Sequence, residues 1–484
     1  MKTLPWTDPT VWALLVPAVA ALLLALLRNW RRAAQVNVLA SFLSFCLALC
    51  LLAVPREEPG RYLLIDDLNV VFLVLNAFVG FTTSLFSLGY IEHEIHSGKL
   101  TPRFLRFYHA MYQLLLFGMT LALFANNIGL LWAAVEMATV TTVLMVGIYR
   151  TPEAIEASWK YMMLSSVAIA LALFRTTLTY VAARQAVGEG AEAMRWSSLF
   201  AHAAQLDPSL LNLAFLFVLL GYGTKVGLVP LHAWLPDAHA EGPTPISAVL
   251  SGLLLNVALY AVIRFKMLLA GNPHVLSPGP ILLAMGLASV LFAAFMLYRR
   301  RDIKRLFGYS SIEHMGIITF AFGLGNPLAN FAGLLHMALH SLTKSGIFFM
   351  VGHISQAKGT QKIAEIRGLT ESHPFLGWGL LAGTVAIVGM PPFAIFLSEF
   401  LIVGSGFSTH PWMILLFLLG LLVAFSGLLL RVSGMAFGKP TGRLEPIRVL
   451  PLPFLIHMLA VLVGGIFLPN VVVGWFRQTA LLLR

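Results

Sequence analysis

LNLAFLFVLLGYGTKVGLVPLHAWLPDAHA, residues 211–240, carries the two features that decide the fold. It opens as an apolar run of the kind that crosses the hydrocarbon core of a bilayer, which takes about 20 residues at helical rise. Lys225 stands in the middle of it, and Pro230 follows five residues later. A lysine near the bilayer centre costs at least ~2.5–3.5 kcal/mol on insertion scales, so it needs a partner, water or a purpose. Proline lacks a backbone donor and clashes with the preceding turn, so the helix is expected to break near Pro230. The carbonyls freed there must be satisfied by polar side chains or water. A second stretch, HPFLGWGLLAGTVAIVGMPPFAIFLSEF at 373–400, repeats the device with Pro391 and Pro392 ahead of Glu399. Two interrupted helices, each with a buried charge, point to two repeated halves with functional sites at the breaks. Ordinary proline kinks explain either helix alone, and both together less well.

Working outward, the composition agrees with a membrane-embedded chain. Of 484 residues 58% are apolar and only 11% charged, and the mean hydropathy is +0.84. A soluble chain carries about a quarter charged residues, so a soluble class is excluded. The expected fold is an all-α integral membrane protein. Fourteen spans are read, at roughly 9–27, 33–54, 68–90, 107–126, 128–149, 158–174, 209–236, 244–263, 279–298, 306–324, 327–352, 374–405, 411–430 and 449–470. The first has no basic leader and no small-residue cleavage site, so it reads as a retained helix. The longest connection, about 175–208, is expected to form a short surface helix.

The formal net charge of +11 would raise nucleic acid as a partner in a soluble protein; here it reports orientation. Of the 32 Lys and Arg, nineteen fall on loops after odd-numbered spans, among them Arg103, Lys304, Arg443 and Arg448. The other side holds ten: Lys2, Arg56, Arg61, Arg175, Arg184, Arg195, Arg264, Lys266, Arg477 and Arg484. The positive-inside rule then puts the odd loops in the cytoplasm and both termini outside. Cys46 and Cys50, the two cysteines, cannot hold an iron–sulfur cluster or a four-ligand zinc site.

Three basic residues remain, Lys160, Lys225 and Lys344, and they fall within spans, as do Glu136, Glu313 and Glu399. Lys and Glu are the side chains whose proton affinity burial changes most, which suits a proton relay. Static ion pairs that fix packing are the alternative, weakened because such pairs are often no more stabilising than apolar replacements. In GLLHMALHSLTKSG, spacing of four puts His336, His340 and Lys344 on one helix face. Two histidines at that spacing can ligate zinc, but no carboxylate or Cys shares their face, so a hydrogen-bonded wire fits better than a metal site. Adjacent Glu313 and His314 point about 100° apart and so face different neighbours. His232 and His239, after the first break, and Ser251 and Asn256 in the eighth span are further candidate relay groups. The chain has no phosphate-binding glycine loop, no dinucleotide fingerprint and no nucleophile–base pair, so the energy for any pumping must come from elsewhere.

At these residues the sequence resembles the antiporter-like membrane subunits shared by respiratory complex I, membrane-bound hydrogenases and multisubunit cation/proton antiporters. The matching segments are LLWAAVEMATV with Glu136, KVGLVPLHAWLPDAHAEGPTPISAVLSG, RDIKRLFGYSSIEHMGIITF, LLHMALHSLTKSG and GMPPFAIFLSEF, so the likeness covers roughly residues 65–430. EHMGI with LLLNVALYAVIRF is most similar to component F of hydrogenase-4, in the formate hydrogenlyase group.

The resemblance implies three N-terminal helices over 1–106, two inverted five-helix repeats over 107–268 and 279–430, and a last helix and tail over 431–484. It implies that Glu136 pairs with Lys225, that Lys160 is a connecting base, and that Lys344 is the base of the second half. Glu399 would be the terminal group, and His336 and His340 would bridge toward the centre. Changes in the Glu136–Lys225 pairing would pass along a polar axis to Lys344 and Glu399. The chain departs from the complex I pattern in the eighth span, where Ser251 and Asn256 stand at positions that usually carry Lys or His. Neither titrates near neutral pH, though both can hydrogen-bond water.

The expected function is therefore that of a proton-translocating subunit of a membrane-bound hydrogenase or related oxidoreductase in a bacterial or archaeal cytoplasmic membrane. No cofactor or metal is expected in this chain; Fe–S clusters and a NiFe site would belong to partner subunits. Two rivals are a subunit of a Na⁺/H⁺ antiporter and a non-pumping membrane anchor, the latter kept open by Asn256.

Overall fold

A computed structural model describes residues 9–56, 58–441 and 449–483. Lys2, Arg443, Arg448 and Arg484, counted above with the loop charges, lie outside them, and the side chain of Arg103 is not described. The first helices in chain order are α1 (Pro9–Leu26), α2 (Trp30–Cys50), α3 (Asp67–His96), α4 (Pro102–Phe124), α5 (Ile128–Val146), α6 (Pro152–Val187) and α7 (Trp196–Ala201). There follow α8 (Pro208–Val226), α9 (Leu235–Glu241), α10 (Thr244–Val249), α11 (Leu255–Ala270), α12 (Gly279–Leu297), α13 (Ile303–Leu324) and α14 (Pro327–Lys358). The last are α15 (Leu369–Ser372), α16 (Pro374–Ile387), α17 (Ala394–Gly406), α18 (Pro411–Ala436), α19 (Leu452–Ile466) and α20 (Asn470–Leu482). No strand occurs among the described residues, as expected where lipid offers no partner for an unpaired backbone group.

Among the described residues eleven helices are long and apolar enough to cross a membrane, or twelve if α19 and α20, bent by 81°, form one span. Helices occupy all fourteen stretches read from the sequence, but their edges differ. The sixth runs to Val187, 36 residues in all, because Thr176 and Thr179 return their hydroxyls to the carbonyls four residues back and keep the helix going. The expected surface helix in 175–208 is reduced to the six residues of α7. The eighth span continues to Ala270. As a result Arg175, Arg264 and Lys266, assigned above to loops, are buried inside helices, and so is Lys304 near the start of α13.

The chain divides into two compact units: residues 1–225 with 257–277, and residues 226–256 with 278–484. In the first unit, Asp66 and Asn69 cap α3 reciprocally, and the Asn69 amide donates to the Leu64 and Leu123 carbonyls. Gln113 on α4 donates to Asn37 and Ser41 on α2 at 2.8 Å each, a buried polar tie of the kind that substitutes for hydrophobic drive between helices in lipid.

In the second unit, α12 and α13 meet backbone to backbone: a β-carbon on Gly316 would lie 2.8 Å from the Gly286 carbonyl oxygen. Almost every residue of α14 from Ala329 to Ile354 is buried, so this helix is the core of the unit. Both expected breaks are present. α8 stops at Val226 and α16 at Ile387, and in each case the sequence Val-Gly follows with the glycine in the left-handed region, Gly227 at φ 80° and Gly389 at φ 69°. The prolines then close the turn, Pro230 three residues after the first glycine and Pro392 three after the second.

Candidate functional site

In the first unit the site is built where α8 ends beside α5. Lys225, 2% exposed, extends its Nζ to within 3.5 Å of Glu136 Oε2 and donates to Thr139 Oγ1 at 2.9 Å. Glu136 and Thr139 stand three apart on α5 and therefore share a face. Thr139 passes its own proton to the Val135 carbonyl at 2.9 Å, so its lone pairs are left for the ammonium. One carboxylate and one hydroxyl thus hold the cation, and removing Glu136 would leave an uncompensated buried charge, a change that costs about 3–5 kcal/mol.

Lys160 is not one of the buried charges. Its side chain is 51% exposed and pairs with Glu156 at 2.6 Å, one turn earlier on α6. The next residue, Tyr161, points about 100° away, is fully buried and shares a 2.9 Å hydrogen bond with Thr142 on α5. It is Tyr161 that faces the unit interior, and the helical angle between neighbours is what turns Lys160 outward.

The same unit buries cations that the sequence reading placed in loops. Arg264 binds Asp66 with both forks, at 2.6 and 2.8 Å, donates to Tyr260 at 2.8 Å and lies 4.4 Å over the Trp196 ring. Arg175 is fully buried, 4.0 Å over Phe265, and donates to Thr176 and Tyr222. The available signal was Tyr260 one turn before Arg264 in an apolar pattern that runs unbroken to Ala270.

In the second unit His336, His340 and Lys344 are all 0% exposed and lie on one face of α14, as their spacing predicts. Lys344 donates to the Phe307 carbonyl at 3.1 Å and lies 5.6 Å over that residue's ring. The same carbonyl accepts from Ser311, whose hydroxyl is 2.7 Å from Ser251. Ser251 belongs to a π-helical turn, Leu250–Leu254, between α10 and α11; such turns often mark functional sites. Asn256 donates to Ser341 at 2.7 Å and to the Met337 carbonyl at 3.0 Å. Both eighth-span substitutes are therefore hydrogen-bonded within one polar layer on α14 and α13.

Glu313 and His314 do face different ways. His314 Nδ1 is 2.9 Å from His336 Nε2, and its ring stacks 5.5 Å from that of His340. Glu313, 3% exposed, has an Oε2 with no hydrogen-bond partner. His336 continues through Nδ1 to Ser398 at 2.9 Å, and Ser398 donates to the Ile395 carbonyl at 2.8 Å. Glu399 places its carboxylate in the second break, against the α-carbon of Gly389. His239 on α9 is fully buried with its ring 4.8 Å from Phe348 and neither nitrogen bonded, whereas His232 is half-buried beside Phe292. Lys304 donates to the Ala240 and Gly242 carbonyls at 3.0 and 2.8 Å and so caps α9. Thr139, Ser311, Ser341 and Ser398 were missed by the sequence reading, because small hydroxyl residues are common in any membrane helix.

Residues 125–425 match the family described as NADH:quinone oxidoreductase/Mrp antiporter, TM. The chain belongs to this family. A Hydrogenase-4 component F homolog from Methylacidiphilum infernorum (isolate V4) is 60% identical over 471 residues, which span 97% of this chain and 99% of that protein. Two solved structures share the fold of this antiporter-like subunit. One is from the membrane-bound sulfane sulfur reductase, an archaeal respiratory membrane complex: TM-score 0.88, 23% identity, 99% of this chain and 98% of the other. The second is from respiratory complex I of Thermus thermophilus: TM-score 0.80, 25% identity, 98% of this chain and all of the other.

Proposed function

We propose that this antiporter-like subunit moves protons through its buried Lys, Glu and His side chains, within a hydrogenase-type or complex I-type assembly whose redox chemistry drives the transfer. Fe–S clusters, and a NiFe site where present, belong to its partner subunits. The observation that carries this reading is Lys225, almost fully buried at a helix break and held by only one carboxylate 3.5 Å away and one threonine. Two unit charges at 4 Å interact by ~4 kcal/mol at an effective dielectric of about 20, so a displacement of Glu136 is enough to load or release a proton on a buried amine. In the second unit, Lys344 and the polar layer of Ser311, Ser251, Ser341 and Asn256, with the His314–His336 pair beside it, form the corresponding relay. Lys160 is left out of it.

Fourteen membrane crossings and two repeated five-helix segments, over 107–268 and 279–430, accompany this reading. The matched Val-Gly breaks at 226–227 and 388–389 support the repeat. Residence in the cytoplasmic membrane with both termini outside follows from the loop charges, and burial of Arg175, Arg264 and Lys266 removes three cations from the outer set and Lys304 one from the inner.

The test is the intact assembly reconstituted in vesicles. Lys225→Ala and Glu136→Gln are expected to lower proton uptake at least tenfold while electron transfer by the partner subunits stays measurable. Wild-type pumping in both variants overturns the proposal, and Na⁺-dependent pH changes without any redox substrate assign the chain to cation exchange.

A further inference from the structure

We infer that His314, His336 and Glu399 form a binding site for a divalent transition metal of the Zn²⁺ class inside the second unit. Taken alone, α14 offers two histidines and no carboxylate, which argues against a metal there. The fold supplies what the helix lacks: His314 comes from α13 and Glu399 from α17. One ligand atom from each of the three residues lies within 4.8 Å of the others, and all three residues are buried. A tetrahedral site with bonds of about 2.0–2.2 Å needs donor separations of about 3.3 Å. The two imidazole nitrogens at 2.9 Å must part slightly and the carboxylate must close in, both within reach of side-chain rotation.

The hydrogen bonds around His336 prepare it as a ligand. Ser398 gives its proton to the Ile395 carbonyl, so it receives one from His336 Nδ1. That fixes the tautomer and leaves the Nε2 lone pair pointing at His314, in the manner of histidine ligands whose second nitrogen is held by an outer partner. His314 need only carry its proton on Nε2 for its Nδ1 to face the same point. Two independent observations show unmet demand for a cation. Glu399 makes no ion pair or hydrogen bond among the described residues, although a buried carboxylate is costly without one. His340, 0% exposed and stacked on His314, has both nitrogens unpartnered and is the nearest reserve for a fourth ligand. Two imidazoles and one carboxylate favour Zn²⁺ and Co²⁺ over Na⁺, Ca²⁺ or Mg²⁺, which take all-oxygen sites. A metal here would occupy the lone pairs that the histidine pair needs to exchange protons, so the site would also act as an inhibitory lock on the proposed relay.

The experiment uses the full chain purified without a polyhistidine tag, stripped with chelator and titrated with Co²⁺. One equivalent is expected to bind with the intense visible absorption of four-coordinate cobalt, bleached by Zn²⁺. His336→Gln and Glu399→Gln should abolish that spectrum, Ser398→Ala should weaken affinity at least tenfold, and His232→Ala should leave both unchanged. Absence of stoichiometric cobalt uptake in the wild type overturns the site, as does an unchanged spectrum in His336→Gln or Glu399→Gln. Since Ser398→Ala removes only a hydroxyl, its affinity decides the matter if a ligand variant fails to fold. The readout involves no proton transport, so its failure and that of the relay are separable.

Discussion

The carboxylate of Glu399 rests against the α-carbon of Gly389, ten residues earlier and across the second helix break, so that a β-carbon at 389 would fall on Glu399 Oε2. Gly389 also holds φ at 69°, a region that costs an alanine about 1–2 kcal/mol. Gly389→Ala therefore combines a backbone penalty with displacement of the carboxylate. Gly325→Ala separates them: its φ is 70°, and its nearest neighbour to a new β-carbon is the Gly323 carbonyl at 3.9 Å. Both variants should lose similar thermal stability, while only Gly389→Ala should lower proton uptake. Equal uptake in the two would show that Glu399 need not sit in the break.

What could be read from the sequence was whatever is local. Lys225 before Pro230, and His336, His340 and Lys344 at steps of four, are properties of one helix, and the structure places them as that geometry requires. Lys160 failed because a span assigned by apolarity alone does not fix which way a residue faces, and the charge turned outward while Tyr161 turned in. Arg175, Arg264 and Lys266 failed for the opposite reason: a charge was taken as the end of a span, whereas Arg175 and Arg264 are tolerated inside helices by aromatic faces or a partner acid. The closeness of His314, His336 and Glu399 was beyond reach, since 22 residues separate His314 from His336 and only the tertiary packing brings Glu399 to them.

Arg264 and Asp66 form the strongest ion pair described in the first unit, two short bonds with the Arg264 side chain only 3% exposed. Breaking one partner of such a pair costs about 3–5 kcal/mol, whereas removing both charges is often neutral. Arg264→Met should therefore lower the melting temperature sharply, and Arg264→Met with Asp66→Asn should recover most of the loss. A double variant as unstable as the single would mean that the Trp196 and Tyr260 contacts, not the charge pair, dominate.

Lys304 satisfies two carbonyls at the end of α9, which no backbone donor in that helix can reach. Lys304→Met keeps the side-chain volume and removes the donors, so it should cost about 1–3 kcal/mol. Arg301→Met, three residues earlier and exposed, should change stability by less than about 0.5 kcal/mol. Thermal unfolding in one detergent or nanodisc preparation compares them directly, and equal melting temperatures would remove Lys304 from the stability of the break.

Asp302, the N-cap of α13 in the loop before it, accepts the Arg305 N–H at 2.9 Å. Burial holds its carboxyl above the ordinary 3.8, against the opposing pull of that hydrogen bond and of the Lys304 and Arg305 cations. A carboxyl that binds its proton more tightly in the folded chain contributes stability that is complete below the unfolded value and is lost as pH rises through the raised folded one. Asp302→Asn keeps the capping oxygen and removes the titration. The melting temperature of the variant minus that of the wild type should therefore rise as pH increases from 3.8 and then level off above the folded value. All other carboxyls cancel in that difference. A difference that falls with pH instead would mean that the cap hydrogen bond and the two cations outweigh desolvation at Asp302, and that the loop leading into α13 is wetter than its burial implies.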